Sequence, residues 1–398
     1  MKHDAFLRLL REEKTVTKAG VALYGRLADM ACRENSVILL HETDSHPDRD
    51  VTPYLLEHCG AEVEQGLALL AELAGGAEVI RCPRRQCASP ALREPTALYS
   101  LLDKGCVRSD VARLGYTAAF PSCGYQGRPT LVVTAEDCRM VWQLHQGQPV
   151  EKAIVCVEGD DRRVLSLPVG TPLADVLATF DVPAKAVLLG GGTGRLVTPD
   201  EPFFVNFDYL FDSVETVPEG GCVAALLARL ASENKGDSCQ RCVLCREGTW
   251  QVERIFRDML DGQAKSADLS ELADLSRLVS LGSMCAFGQH ALRPLGDALA
   301  RFGGELEEHF LRGNCPSGVC FNTKTYQIDP YLCGGCTQCL DVCEYDAIDG
   351  KKGFIHVVDA KMCEQCGACA EECPEGAIKL GADLKVPTRP TKVGRFHD

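Results

Sequence analysis

The spacing of hydrophobic residues predicts alternating helices and strands over the first part of the chain. Phe6, Leu9 and Leu10 share one face of a predicted helix. Val63, Leu67, Leu70 and Leu73 mark a second helical face, and short apolar runs mark strands. The predicted order is a helical stretch at 1–30, a buried strand at 36–41, a helix from Pro53 and a strand at 77–82. This alternation is typical of an α/β domain, which we assign to residues 1–150.

The pattern changes after residue 151. Residues 152–158 and 163–168 predict a β-hairpin that turns at 159–161. Thr171 is expected to cap a short helix, with Pro172 at the first helical position.

A glycine-rich loop at 190–194 follows the next predicted strand. It lacks the third glycine of the phosphate-binding pattern G-x-G-x-x-G, because Arg195 stands at that position, and no long helix follows it. We therefore interpret the loop as a tight turn in a small β-grasp-like module, residues 151–215.

From residue 222 the hydrophobic positions take a helical period. Val223, Leu226 and Leu230 begin the series, and a last apolar stripe from Leu292 to Phe310 predicts one final helix. The stretch 216–312 is therefore expected to be a helical bundle.

The composition of the chain limits the classes of function that it can have. The chain has 398 residues, 23 cysteines and a formal net charge of −14. The acidic balance argues against nucleic acid, and the longest apolar runs fall short of the ~20 residues of a membrane helix. The N-terminus is charged rather than signal-like, so we expect a cytoplasmic protein without membrane insertion. Many cysteines in a reducing compartment indicate metal and redox chemistry rather than disulfides.

The C-terminal cysteines form an internal repeat with a period of thirty residues. Each half reads C-x2-C-x2-C-x3-C, the spacing that holds [4Fe–4S] clusters, with the fourth cysteine of each half ligating the other cluster. Zinc is the alternative, but structural zinc sites use paired C-x2-C knuckles. The first cluster is assigned to Cys333, Cys336, Cys339 and Cys373, and the second to Cys363, Cys366, Cys369 and Cys343. The repeat and the linker before it form a ferredoxin-like domain over 313–380.

A third cysteine triplet lies in the predicted bundle. Cys239, Cys242 and Cys245 have the same C-x2-C-x2-C spacing, and Cys285 is the candidate fourth ligand. This group predicts a third [4Fe–4S] cluster, with zinc as the alternative.

Other cysteines give weaker indications. His309, Cys315 and Cys320, with Cys222 as a fourth ligand, are predicted to hold a structural zinc, and inert linker thiols are an equally open interpretation. Cys82, Cys87 and Cys123 are interpreted as buried thiols. The basic tail 381–398 is expected to be an extended arm that does not pack by itself and docks on a partner.

The residues of the bundle motif carry a family resemblance. Ser238-Cys-x2-Cys-x2-Cys-Arg-Glu-Gly-Thr249, followed by Met284-Cys-Ala-Phe-Gly288, resembles the cluster-binding domain of the NADH-oxidising flavin subunit of respiratory complex I. Cys315-Pro-Ser-Gly-Val-Cys320 and the double repeat resemble the corresponding subunit of soluble electron-bifurcating hydrogenases and formate dehydrogenases. Residues 152–205 are similar to the β-grasp (soluble-ligand-binding) module of these subunits and of the Rnf complex C subunit.

The resemblance implies an FMN and NADH site in the N-terminal domain, and there the sequence departs from the family. The family has a glycine-rich loop whose amides hold the FMN phosphate, whereas the matching stretch 17–25 contains lysine, valine and leucine. An acidic stretch is present at 41–47, and Pro95 replaces one of a pair of glutamates. We therefore expect a degenerate flavin-type domain that keeps the α/β fold and has lost FMN.

Together these features predict a multidomain α/β and α protein that acts as an iron–sulfur electron-transfer subunit, with no residue in acid–base or nucleophilic catalysis. Its partners are expected to be flavin, ferredoxin-like or catalytic metal subunits of one oxidoreductase complex, and soluble ferredoxin. Two alternatives stay open: an FMN-containing NAD(P)H dehydrogenase subunit of an electron-bifurcating complex, or a cluster-bearing scaffold that binds a paralogous flavin subunit.

Overall fold

A computed structural model describes most of the chain, in two units. One unit is Met1–Phe256 with Ser266–Arg312, and the other is Arg257–Lys265 with Gly313–Asp398. The described residues are 3–18, 21–42, 51–82, 95–104, 124–158, 162–179, 183–207, 209–319, 326–359, 362–363, 366–380 and 384–396. The acidic stretch at 43–47 and the cysteines Cys87, Cys123 and Cys320 lie outside them.

The first unit begins with a parallel sheet and its helices. The elements are α1 (His3–Glu12), α2 (Leu23–Ala31), β1 (Val37–His41), α3 (Val51–Leu73), β2 (Glu78–Cys82), α4 (Pro95–Lys104), β3 (Thr130–Thr134) and α5 (Ala135–His145). The strand order is β2-β1-β3, all parallel, and every residue of β1 is buried. A strand buried on both faces explains the continuous apolar run from which β1 was predicted. The α/β alternation is confirmed, although α3 begins at Val51, two residues before Pro53.

A five-stranded mixed sheet follows. Its elements are β4 (Lys152–Glu158), β5 (Arg162–Pro168), α6 (Leu173–Ala178), β6 (Ala184–Leu189), β7 (Arg195–Val197) and β8 (Ser213–Pro218), in the order β5-β4-β8-β6-β7. The predicted β4–β5 hairpin is confirmed, and its turn at 159–161 lies outside the described residues. The glycine-rich loop is a tight turn: Gly190 has φ +75°, and a Cβ on Gly194 would lie 1.6 Å from the carbonyl oxygen of Leu189.

The predicted cap of α6 is wrong. The helix begins at Leu173, with Pro172 as its N-cap residue and without a side-chain cap. The Thr171 hydroxyl instead donates a 2.7 Å hydrogen bond back to the carbonyl oxygen of Pro168. A threonine hydroxyl can bond to either side of the chain, so its partner could not be read from the local sequence.

Helices complete the first unit. They are α7 (Val223–Asp237), α8 (Val243–Leu260), α9 (Asp268–Gly282), α10 (Ala286–His290), α11 (Arg293–Arg301) and α12 (Gly303–Arg312), the end of α8 from Arg257 onward belonging to the second unit. The prediction of a single final helix is wrong, because the chain leaves helical geometry at Phe302 (φ −120°, ψ 25°) before Gly303. None of the helices in the described part of the chain is long and apolar enough to cross a bilayer.

The second unit is built from paired short strands around the repeat. Its elements are β9 (Tyr326–Ile328), α13 (Gln338–Asp341), β10 (Ile348–Asp349), β11 (Phe354–Ile355), β12 (Val357–Val358), α14 (Ala368–Glu371), β13 (Ile378–Leu380) and β14 (Thr391–Lys392). The strand before the first cysteine motif, β9, pairs with β13 after the second motif, and β12 before the second motif pairs with β10 after the first. Each half of the repeat therefore closes on the other.

The C-terminal tail corrects a prediction. Thr391–Lys392 pairs antiparallel with Phe354–Ile355, and the Phe396 ring makes an edge contact with Tyr331 at 6.1 Å. The tail therefore packs within its own unit, whereas its composition predicted an arm that does not pack by itself; docking on a partner stays a prediction. Because the partner strand lies some forty positions earlier in the chain, the local sequence of the tail does not predict this pairing.

Candidate metal centres

The bundle cysteines come together at the start of α8 and the start of α10. Cys245 and Cys285 are buried and pack in one cluster with Phe287 and Ala291, and Cys242 packs against it. Burial raises the pKa of the Cys245 thiol, and the neighbouring Cys239 and Cys242 thiols raise it further. Cys242, Cys245 and Cys285 thus lie together, Cys239 is near enough to act on the Cys245 thiol, and this donor set fits a [4Fe–4S] cluster.

Local contacts shape this pocket. The Ser238 hydroxyl lies 3.6 Å from Cys245 Sγ, and Thr249 Oγ1 donates a 2.8 Å hydrogen bond to the Cys245 carbonyl oxygen. Gly288 on α10 leaves space for the sulfur, since a Cβ there would be 2.6 Å from the Ser283 Cβ and 3.3 Å from Cys245 Sγ. The Ser238–Thr249 motif therefore positions Cys245 as well as its neighbours.

The second predicted set of the repeat lines a common cavity. Cys343, Cys363, Cys366 and Cys369 border one open cavity, together with Tyr326 and other residues. Burial raises the pKa of Cys369, and the other three thiols raise it further. The crossover of the fourth cysteine, Cys343, into the triplet of the opposite half is thus present in the structure, and the donor set fits a [4Fe–4S] cluster.

The first predicted set is gathered in the same way for three of its members. Burial raises the pKa of Cys339 to about 12, and the Cys333 and Cys336 thiols contribute to the rise. Cys333 and Cys339 are buried, and Cys373 packs against the same core cluster. Thiols with raised pKa values must lose protons when a metal binds them, so assembly of a cluster here releases protons.

The two fourth cysteines have matching backbone contacts. The amide of Ala347 lies 3.4 Å from Cys343 Sγ, and the amide of Ala377 lies 3.4 Å from Cys373 Sγ. Both donors stand four residues after their cysteine, thirty positions apart in the repeat. Hydrogen bonds to the sulfurs are one of the features that set the potential of an iron–sulfur cluster.

The candidate zinc ligands are distributed over both units. Cys222 Sγ lies 3.1 Å from His309 Nε2, and both residues are buried in the first unit. His309 Nδ1 lies 2.7 Å from the carbonyl oxygen of Glu305, which orients the ring. Cys315 is buried in the second unit. The fourth candidate, Cys320, lies outside the described residues.

The described residues on either side of positions 19–20, in the stretch predicted to match the glycine-rich flavin loop, bond to one another. Val16 and Ala22 form an antiparallel bridge, and the Thr17 amide donates a 2.8 Å hydrogen bond to the carbonyl oxygen of Val21. The Val21 amide donates to Thr17 Oγ1 at 3.1 Å. The Lys18 amide donates to Asp137 Oδ1 at 2.7 Å. These three amides therefore already have partners within the chain.

The burial of the Lys18 charge was not predicted from the sequence. Its ammonium is buried and forms ion pairs with Glu136, at the start of α5, and with Asp212, just before β8. Burial alone would lower the pKa of Lys18, but the two carboxylates outweigh it and raise the pKa above its ordinary value. A lone lysine in an otherwise uncharged loop was the available signal.

Two iron–sulfur family models match parts of this chain. Residues 225–309 match the NADH-ubiquinone oxidoreductase-F iron-sulfur binding region, and residues 332–377 match the 4Fe-4S dicluster domain. The NADP-reducing hydrogenase subunit HndC of Solidesulfovibrio fructosivorans is 27% identical over 268 residues, 60% of this chain and 54% of that protein. The F subunit of the NADH-quinone oxidoreductase of Streptomyces coelicolor is 29% identical over 136 residues, 32% of this chain and 30% of that protein.

A solved structure shares the fold. The NAD+-reducing [NiFe]-hydrogenase in its H2-reduced state superposes with a TM-score of 0.65 at 20% identity, over 78% of this chain and 63% of that chain. This chain spans about half the length of HndC and about a third of the Streptomyces protein. The predicted resemblance to complex I-type and hydrogenase subunits is confirmed, as are the mixed α/β multidomain class and the ferredoxin-like iron–sulfur domain.

Proposed function

We propose that this chain is an iron–sulfur electron-transfer subunit of a multisubunit oxidoreductase complex, with three [4Fe–4S] clusters and no flavin of its own. A bound [4Fe–4S] cluster supplies one-electron redox chemistry. The chain's residues hold the clusters through thiolates, shield them from water and donate hydrogen bonds to their sulfurs. The partners are other subunits that carry flavin or a catalytic metal, and ferredoxin as a soluble donor or acceptor.

The observation that carries the proposal is the cavity lined by Cys343, Cys363, Cys366 and Cys369. These four residues come from both halves of the repeat, and the ligand-exchange rule of two-cluster ferredoxins selects the same four. A zinc knuckle would not need a cysteine from the opposite half. The third cluster is supported by the proximity of Cys239, Cys242 and Cys285 to Cys245.

The absence of a flavin is supported by the backbone contacts of Thr17, Lys18 and Val21, in the stretch that matches the family's glycine-rich loop. A phosphate needs unpaired backbone amides, and the amides of Thr17, Lys18 and Val21 have partners inside the chain. The carboxylates of Glu136 and Asp212 surround the lysine, and an anionic phosphate there would be repelled. The degenerate flavin-type domain and the β-grasp module are therefore proposed to be structural.

A structural zinc is proposed at Cys222 and His309, with Cys315 and Cys320 as the remaining candidate ligands. The 3.1 Å distance from Cys222 Sγ to His309 Nε2 supports it, because both atoms are ordinary zinc ligands and both residues are buried. The Glu305 carbonyl fixes the ring, as partners of metal-binding histidines commonly do. Zinc analysis of the Cys222→Ser variant tests this, with loss of zinc and unchanged iron expected.

The test of the main proposal is anaerobic purification with iron, sulfide and flavin measured on one sample. We expect about twelve irons per chain, from three four-iron clusters, and no flavin. Flavin near one per chain would contradict the proposal and favour an FMN-containing dehydrogenase. Complete iron content without electron transfer from reduced ferredoxin to a dye would favour the scaffold.

A further inference from the structure

The thirty-residue repeat extends beyond the cysteines. Tyr326 stands seven positions before Cys333, and His356 stands seven positions before Cys363. Tyr326 begins β9 and His356 directly precedes β12, the strands that lead into the two cysteine motifs. They are therefore equivalent positions of the two halves, and one holds a phenol where the other holds an imidazole.

The two side chains cross to opposite cysteine sets. His356 Nδ1 lies 3.4 Å from Cys339 Sγ and 4.0 Å from Cys333 Sγ, both in the first set. The Tyr326 ring lines the cavity of the second set. His356 precedes the second motif but adjoins the cysteines of the first, and Tyr326 precedes the first motif but adjoins the cysteines of the second. The two sites therefore differ at this equivalent position.

The His356 ring is buried in a space that a neighbouring glycine leaves open. His356 is 1% exposed, and a Cβ on Gly350 would lie 1.9 Å from its Cδ2, so only glycine at that position leaves space for the ring. The buried ring thus approaches the sulfurs in one fixed orientation.

The hydrogen-bond partners decide the tautomer. Nε2 of His356 has no hydrogen-bond partner among the residues the structure describes. A neutral imidazole has one N–H, and a buried donor without an acceptor is costly. With the proton on Nδ1, the N–H points to the sulfur of Cys339 and only an acceptor lone pair is left unpaired.

We propose that His356 Nδ1–H donates a hydrogen bond to the Cys339 thiolate and raises the reduction potential of the first cluster above that of the second. One-electron reduction adds negative charge at the cluster, and a donor to a ligating sulfur stabilises the more negative state. The inference rests on the proposed function, since it needs both clusters of the repeat. It gives the two clusters an order of reduction potential, so that an added electron resides mainly on the cluster held by Cys333, Cys336 and Cys339.

The test is a redox titration of the holoprotein followed by electron paramagnetic resonance. In His356→Leu, we expect the ratio of reduced to oxidised first cluster at a fixed potential to fall about tenfold, equivalent to about 59 mV for one electron. The other two clusters should keep their potentials. His356→Gln, which retains an N–H donor, should restore part of the shift, and the matched Tyr326→Phe variant should leave the first cluster unchanged.

Two further measurements separate the outcomes. Iron should stay near twelve per chain in His356→Leu, and pulsed resonance of the wild type should detect a weak nitrogen coupling that the variant lacks. An unshifted potential with complete iron content would overturn the proposal. A strong nitrogen coupling, with loss of four irons in the variant, would make His356 a ligand and also overturn it. Fewer than twelve irons in the wild type would instead be a failure of the proposed cluster count.

Discussion

Arg301 on α11 forms a two-point ion pair with Glu201, with Nε 2.6 Å from Oε1 and Nη2 2.9 Å from Oε2. The same arginine donates a 2.9 Å hydrogen bond to Asp297, which also accepts from Arg195 and from the Leu196 amide. This network ties the five-stranded sheet to the helices of the first unit. A break in it should weaken that attachment.

The Arg301 hydrogen bond lowers the pKa of Glu201 to about 2. Because the folded-state pKa lies below the ordinary value, the stabilisation is complete above pH 4.5 and is lost as the pH falls toward 2. We expect Glu201→Gln to lower the free energy of unfolding by about 1 kcal/mol at pH 7, since the pair is partly exposed. Urea unfolding of both proteins at pH 7 and pH 3.5 checks this, and the difference should shrink at the lower pH.

The control for that prediction is Asp274→Asn, which breaks the exposed pair between Asp274 and Arg277, 3.5 Å apart. An exposed pair at this distance should contribute nothing measurable. Equal effects of Glu201→Gln and Asp274→Asn would contradict the role given to the network.

Lys18→Met should be strongly destabilising. The variant leaves the Glu136 and Asp212 carboxylates buried without their cation, which costs roughly 3–5 kcal/mol. Thermal unfolding of the holoprotein measures the loss. The triple variant with Glu136→Gln and Asp212→Asn should recover much of it, while Lys14→Met, at an exposed position in the same segment, should have little effect. FMN binding by Lys18→Met would contradict the view that this stretch of the chain excludes flavin.

The cysteine sets could be proposed from sequence because ligand spacing is a local property. The triplets around Cys239, Cys333 and Cys363 each come from a single loop. The repeat predicted that Cys343 would lie with Cys363, Cys366 and Cys369, and these four residues line one cavity; their role as ligands of one cluster stays a prediction. The strand β1 was equally local, since a run of buried apolar residues has one ordinary interpretation.

The features that were not predicted from the sequence depend on contacts between residues far apart in the chain. Glu136, which pairs with Lys18, lies 118 positions away, and no periodic pattern links them. The space for the His356 ring depends on where Gly350 lies in the fold, and the pairing of Thr391–Lys392 depends on where β11 lies. Such features follow from the assembled fold and not from any one segment.

Gly288→Ala should selectively impair the bundle site. The added methyl carbon would lie 2.6 Å from the Ser283 Cβ and 3.3 Å from Cys245 Sγ, so either the serine or the ligand must move. We expect iron to fall from about twelve toward about eight per chain, with the two ferredoxin-type signals retained. Gly303→Ala is the matched control, because nothing lies within 4 Å of a Cβ there. Twelve irons in Gly288→Ala would place the third cluster away from Cys245.

Thr337 and Gly367 occupy equivalent positions of the repeat, and both have left-handed backbone, with φ +79° and +87°. A β-branched residue is strained there, whereas glycine is not. Thr337→Gly should therefore raise the free energy of unfolding by about 0.5–1 kcal/mol, measured by thermal unfolding at constant iron content. The reciprocal Gly367→Thr should be destabilising on two counts, because its Cβ would also lie 2.9 Å from the Tyr326 hydroxyl. If Thr337→Gly lost stability, the threonine side chain would have to make a stabilising contact that outweighs its backbone strain.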